Sequence, residues 1–206
     1  MAKFFKYKSV ADLEAESARL GTGLRFSEDL SPLFAPIAIG GRTIGNRWCV
    51  HPMEGCDGHL DGTPGELTFR RYVRFGAGGA KLLWGEACAV NRQARATPRQ
   101  ITLNESTKPA FARIVDDCRA AHRGANGTDA DLLFGLQLTH SGRYSHPRPI
   151  IATHDPILDP RTVANRATGE PVTAGYPIIS DDELKRLVDD YVAVAKLAVD
   201  VGFDFL

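Results

Sequence analysis

Short apolar runs alternate with amphipathic helical patterns along this chain, and that alternation restricts its possible folds more than any single residue does. Arg47–Met53 and Ala80–Glu86 have strand length and are rich in apolar residues, Pro52 stopping the first. Leu132–Arg143 begins as a short apolar run and ends in polar residues and a glycine, as a buried parallel strand does when it delivers side chains at its C-terminal end. Thr63-Pro-Gly-Glu66 supplies an N-cap, a proline at the first helical position and a capping-box glutamate for a helix to about Gly76. Ser106 can cap a second helix with Phe111, Ile114, Val115, Cys118 and His122 on one face. Gly124–Thr128 then predicts a loop. Ser180-Asp-Asp-Glu183 is a capping box for a third helix. One face of it is marked by Leu184, Leu187, Val188, Tyr191, Val194, Ala195, Ala198 and Val201. Gly202 ends it, and Phe203-Asp-Phe-Leu206 opens a fourth strand. Strands alternating with helices in this way imply parallel βαβ units.

Around these units the chain reads more simply. Ser9–Gly21 is a short capped helix, and residues 22–35 form a surface arm. Pro36–Asn46 holds two short runs about Gly40-Gly41, a β-hairpin pattern. Ala87–Glu105 is polar, rich in arginine and predicted to be a loop. Ser145–Ile178 carries six of the twelve prolines and shows no period. An excursion of that length inside a domain is usually functional, so a lid over a site is expected there.

Twenty-five basic and 25 acidic residues cancel, which gives no reason to expect a nucleic-acid or membrane partner. No stretch is apolar for long enough to span a bilayer. Cys49, Cys56, Cys88 and Cys118 lie far apart with no Cys-x-x-Cys, against a metal knuckle or disulfide framework and for a reducing, cytoplasmic setting. Cys49 and Cys118 read as small buried hydrophobes.

Polar residues recur just after each strand: Glu54, Glu86-Ala87, and Gln137 to His140. No Gly-x-Gly-x-x-Gly follows the first strand, which weighs against a dinucleotide-binding Rossmann unit. A (β/α)8 TIM barrel places its chemistry at the C-terminal ends of its strands and needs about 250 residues. This α/β chain therefore reads as the N-terminal half of one: N-terminal helix and arm, floor hairpin, three βα units and the start of a fourth strand. Gln137 sits among apolar neighbours, where its amide needs partners for both carbonyl and NH2. It either bonds to backbone or faces a flat heterocycle offering a donor and an acceptor. His51 reads as packing. His140 and Arg143 either anchor a loop or meet an anionic substrate or cofactor.

Several segments together resemble the old yellow enzyme family of FMN-dependent NADH:flavin oxidoreductases. They are Leu33-Phe-Ala-Pro-Ile-Ala-Ile-Gly with Thr43-Ile-Gly-Asn-Arg47, then Val50-His-Pro-Met53, then Arg71-Tyr-Val-Arg-Phe-Gly-Ala-Gly-Gly-Ala80 with Gly85-Glu-Ala-Cys-Ala-Val90, and last Gln137-Leu-Thr-His-Ser-Gly-Arg143. The resemblance covers about residues 30–206. It implies an incomplete FMN-binding barrel over residues 36–206, preceded by the N-terminal helix and arm of residues 1–35. Backbone at Pro52, Met53 and Glu54 would edge the central flavin ring. Ala87 would approach the pyrimidine side, and Gln137 would hydrogen-bond there.

The family's catalytic His pair or His-Asn pair, its proton-donating Tyr and its phosphate loops fall beyond Leu206. So do the cluster cysteines of those relatives that carry an iron–sulfur centre. One position departs from the pattern: Glu54 stands where the best-known members have Thr or Cys. An ionised carboxylate there would repel reduced flavin, so Glu54 turns outward, is protonated, or tunes the flavin differently.

The implied activity is hydride transfer from NAD(P)H through FMN to an electron-poor small molecule, such as an activated alkene or an enoyl or dienoyl compound. Rival readings are a half-barrel subunit or scaffold that pairs with a second chain, and a TIM-barrel enzyme without flavin. Three strands and a stub cannot close a barrel. These 206 residues alone are therefore expected to be colourless, and to aggregate or to assemble with a missing C-terminal half or another copy.

Overall fold

The computed structural model describes residues 6–155, 157, 158, 160, 168 and 178–206. Helix α1 spans Val10–Leu20, capped by a reciprocal Ser9–Asp12 box and closed by left-handed Gly21. The arm that follows is largely exposed and contains one short helix, α2 (Ser31–Phe34). Strands β1 (Ile37–Ile39) and β2 (Arg42–Ile44) form the expected antiparallel hairpin. Gly40 and Gly41 both take positive φ between them, as a two-residue hairpin turn requires.

Three parallel strands follow: β3 (Cys49–Val50), β4 (Leu82–Ala89) and β5 (Leu133–Thr139). They alternate with α3 (Glu66–Ala77), α4 (Lys108–Asn126) and α5 (Asp181–Val201). Spatial order equals sequence order, β3-β4-β5. The fourth strand opens beside β5: Phe205 bridges Gly135 in parallel, and the Leu136 N–H donates to the Phe205 carbonyl at 3.1 Å. Each unit therefore adds its strand on the same side of the last.

All three helices pack into one apolar cluster against the sheet. Phe69 and Tyr72 come from α3, Phe111, Ile114, Val115 and Cys118 from α4, and Val194, Ala198 and Val201 from α5, against Leu83, Phe134 and Leu136 of the strands. A sheet wound in one direction with its helices on one face is the start of a barrel rather than of a doubly wound sheet. The hairpin lies beneath the strand N-termini. The Gly45 N–H donates to the Asp131 carbonyl, Asn46 donates to the Gly79 carbonyl, and Arg42 pairs with Asp204 at 2.7 Å.

The structure corrects several boundaries. Strand β3 is two residues long rather than a run from Arg47 to Met53. Helix α3 begins at Glu66 with Gly65 as N-cap and no side-chain cap. The Thr63 N–H is already held by the Asp61 carboxylate, and Gly65 is pressed on the Asp57 carbonyl, so the chain turns helical only afterwards. Ser106 does not cap α4. Its hydroxyl and N–H both bond Asn104, and Thr107 occupies the N-cap with its hydroxyl on the Thr102 carbonyl. Helix α4 runs through Gly124 to Asn126, because its packing against α3 outweighs one glycine.

Strand β4 continues to Ala89 by pairing with β5, and the predicted loop beyond it is packed: Ala94, Gln100, Ile101 and Leu103 are buried. Most of the expected lid segment lies outside the described residues, but its two ends meet, Ile151 bridging Ile178. On α5, Leu187 and Tyr191 join the core while Leu184 and Val188 stay exposed. Among the described residues no helix is long and apolar enough to cross a membrane.

Candidate active site

The site residues lie at the C-terminal ends of adjacent strands. Gly85 pairs with Leu136 and Cys88 with Leu138, so Glu86 and Ala87 of β4 together oppose the single residue Gln137 of β5. This is a β-bulge, a device that re-aims side chains beside functional sites. Phe134 and Leu136 face the helices, so alternation turns Gln137 to the opposite face, the barrel interior. Gln137 is half-buried, and among the described residues its carboxamide has no hydrogen-bond partner.

Gln100 shows the other fate of a buried amide. It is 1% exposed, accepts the Ala96 N–H at 2.6 Å and donates to the Ala87 carbonyl at 3.0 Å. That bond fixes the backbone of Ala87 beside Gln137.

Beyond β3 the chain leaves the sheet through His51, Pro52, Met53 and Glu54. Met53 is 76% exposed. Glu54 is half-buried and its Oε1 accepts from the Thr97 hydroxyl and the Cys56 thiol, each at 3.2 Å. The carboxylate is therefore turned toward the loop after β4 rather than left loose in solvent. Burial and the neighbouring Glu54 charge push the Cys56 thiol above its ordinary range, so Cys56 stays protonated.

Below this loop lies a charged cluster. Arg71 of α3 donates to Asp57 at 2.6 and 3.0 Å and to Glu86 at 2.7 Å. The second Glu86 oxygen accepts the Gly55 N–H at 2.9 Å, and the Glu86 N–H donates to the Tyr72 hydroxyl at 2.6 Å. Burial raises the Glu86 pKa against the opposing pull of Arg71 and the Gly55 N–H. The Arg71 hydrogen bonds hold Asp57 below the usual carboxylate range.

His140 and Arg143 lie past β5, just before and on the turn Gly142–Tyr144 respectively. The His140 Nδ1 accepts the Gly142 N–H at 2.9 Å, which leaves the proton of the neutral ring on Nε2. Burial lowers its pKa, and Asp190 opposes that. His140 opens into a cleft of about 300 Å³ that also includes Asn91, Gln93, Glu183, Arg186 and Asp190. None of Pro52, Met53, Glu54, Ala87 and Gln137 lines that cleft. Residues 52–54 thus follow β3, Ala87 and Gln137 lie toward the C-terminal ends of β4 and β5, and His140 comes directly after β5.

Sequence reasoning picked out Glu86 as a polar residue after a strand but missed Arg71, Asp57 and Gln100. Arg71 looks like a solvated helix residue, and its two acids are 14 and 15 residues away.

The chain as a whole has known counterparts. Residues 32–206 match the model of the NADH:flavin oxidoreductase / NADH oxidase family. The chain is 28% identical over 184 residues to an NADPH dehydrogenase of Listeria monocytogenes, covering 86% of this chain and 47% of that protein. It is 25% identical over 189 residues to an NADH:flavin oxidoreductase of Gibberella zeae, covering 84% and 42%. The chain spans about half the length of the curated relatives it matches.

Among solved structures, the Old Yellow Enzyme from Pichia superposes with a TM-score of 0.67 at 19% identity over 84% of this chain and 44% of that one. The Zymomonas mobilis homologue gives 0.63 at 24% identity, over 84% and 46%. At these identities the superpositions establish the fold, a partial (β/α)8 barrel. With the family pattern running from the arm to the fourth strand, this chain belongs to the NADH:flavin oxidoreductase / NADH oxidase family.

Proposed function

We propose that this chain forms the flavin-holding half of an FMN-dependent oxidoreductase that takes hydride from NAD(P)H and passes it to an electron-poor alkene, such as an enone or an enoyl compound. The observation that carries this reading is the bulge that sets Ala87 against Gln137, whose amide has no hydrogen-bond partner among the described residues. The pyrimidine edge of an isoalloxazine presents carbonyls flanking an N–H, which one carboxamide can match with a donor and an acceptor. Ala87 has no side chain beyond Cβ to keep such a ring away, and Gln100 holds its carbonyl still. Pro52, Met53 and Glu54 would line the central ring from the next strand. The residues present therefore fit FMN.

When bound, FMN supplies hydride transfer through N5, chemistry that no side chain of this chain provides. Residues 36–206 are the barrel part in this reading and residues 1–35 an appendage. His140 and Arg143 are its candidates for an anionic group of the substrate, and the cleft beside His140 also holds Arg186.

The test is direct. The full-length protein, titrated with FMN, should bind it stoichiometrically. Anaerobic NADPH or NADH should bleach the flavin band, and 2-cyclohexenone should restore it while cyclohexanone does not. A protein that ignores FMN would sink the proposal.

A further inference from the structure

We infer that Arg71 is a positioning residue for the flavin: it ties the loop after β3 to the bulge of β4 and so sets the gap into which the isoalloxazine edge fits. This rests on the flavin reading above. Arg71 sits on α3, outside the barrel rim, and touches neither Ala87 nor Gln137 by any hydrogen bond described. Its guanidinium makes three short bonds, two to Asp57 on the loop and one to Glu86 on the bulge. Glu86 closes the ring by accepting the Gly55 N–H of the same loop.

One fork thus joins the two segments that carry the flavin-edging residues. Gly55 and Asp57 follow directly on Pro52, Met53 and Glu54, and Glu86 immediately precedes Ala87. The packing leaves little slack. A Cβ at Gly55 would lie 2.1 Å from the Arg71 Nη2, and that atom cannot swing aside without releasing Asp57 or Glu86. Glu86 is 3% exposed, so losing its cationic partner would leave a buried carboxylate with one N–H donor. Planar bidentate geometry is a property of arginine and not of lysine, which offers a point charge.

A residue that merely stabilised α3 would change melting temperature alone. A positioning residue must also change how flavin is held. Two variants of the full-length protein separate these roles. Arg71→Lys keeps the charge and loses the fork. Gly55→Ala changes no residue of α3 or of the apolar core and pushes on the guanidinium from the loop, so it serves even if Arg71→Lys fails to fold.

Each is read by FMN titration of the apoprotein, by the visible circular dichroism of the bound flavin and by its midpoint potential, well below the melting temperature. The expected result for both is FMN binding weakened about tenfold, the scale of one charge-assisted hydrogen bond, with an altered flavin dichroism. FMN affinity, dichroism and potential unchanged in the folded variants, with wild type binding FMN, would overturn the role of Arg71 and leave the flavin reading standing. Wild type failing to take FMN would instead overturn the flavin reading, and this inference with it.

Discussion

Ala87 and Gln137 meet across an irregular rung of the sheet: two residues of β4, Glu86 and Ala87, span the place of one residue of β5. The extra residue lets Glu86 turn into the ionic cluster under the rim while Ala87 stays at the edge. The bulge thus separates the Glu86 carboxylate from the Ala87 methyl group one residue away.

Gln137→Leu should weaken FMN binding by about 1–3 kcal/mol, because flavin groups that would pair with the amide are left buried and unpaired. The fold should be unaffected, since among the described residues that amide bonds to no protein group. Fluorescence titration of apoprotein with FMN gives the affinity. An unchanged dissociation constant would count against the role of Gln137.

Glu54→Gln should raise the flavin midpoint potential, by an amount on the order of tens of millivolts. A carboxylate near the flavin disfavours the electron-rich reduced form, and the amide removes that repulsion while keeping the shape. The Thr97 and Cys56 contacts hold the carboxylate against the loop after β4. Potentiometric titration with a reference dye would detect the shift; no shift would mean that Glu54 acts only as a loop anchor.

Stability should fall as pH drops below about 6.5, the ordinary histidine value. His122 is fully buried; its Nε2 faces Lys81 Nζ at 3.0 Å and its Nδ1 the Gly76 carbonyl at 2.8 Å. Lys81 also pairs with Asp131. The ammonium can only donate, so the ring must be neutral with its proton on Nδ1.

Burial lowers the His122 pKa, and the Lys81 charge adds to this. The unfolded chain then takes up a proton that the folded chain resists. Stability is complete above the unfolded pKa and is lost between that value and the lower folded one. Melting temperature against pH should show this, and His122→Asn should flatten the profile in that window.

Gly76→Ala should destabilise the chain by about 1–3 kcal/mol. Helices α3 and α4 approach closely there: a Cβ at Gly76 would lie 2.2 Å from the Cys118 carbonyl oxygen, which is backbone and cannot swing away. Chemical denaturation would measure the loss. A stability equal to wild type would mean that the two helices can separate at no cost.

Much of the fold was legible in the chain because it rests on short-range patterning. The cap at Ser9, the capping box at Ser180, the Gly40-Gly41 turn and the buried face Phe111, Ile114, Val115, Cys118 and His122 are set by local propensity and by which residues avoid water. The strand–helix alternation pointed to parallel units, and the polar residues at the strand ends marked the rim. Caps at Thr63 and Ser106 were misplaced because Asp61 and Asn104 compete for the same backbone groups, and local sequence does not say which hydrogen bond wins.

Only the tertiary structure decided the rest. The bulge depends on two strands some fifty residues apart settling their register. Whether a glutamine amide is satisfied, as that of Gln100 is, or has no hydrogen-bond partner among the described residues, as that of Gln137 has, depends on which loop carbonyl comes within reach. The Arg71 fork joins Asp57 and Glu86 only because α3 packs beneath both segments. Such contacts arise from packing between distant segments, and periodicity along the chain carries no record of them.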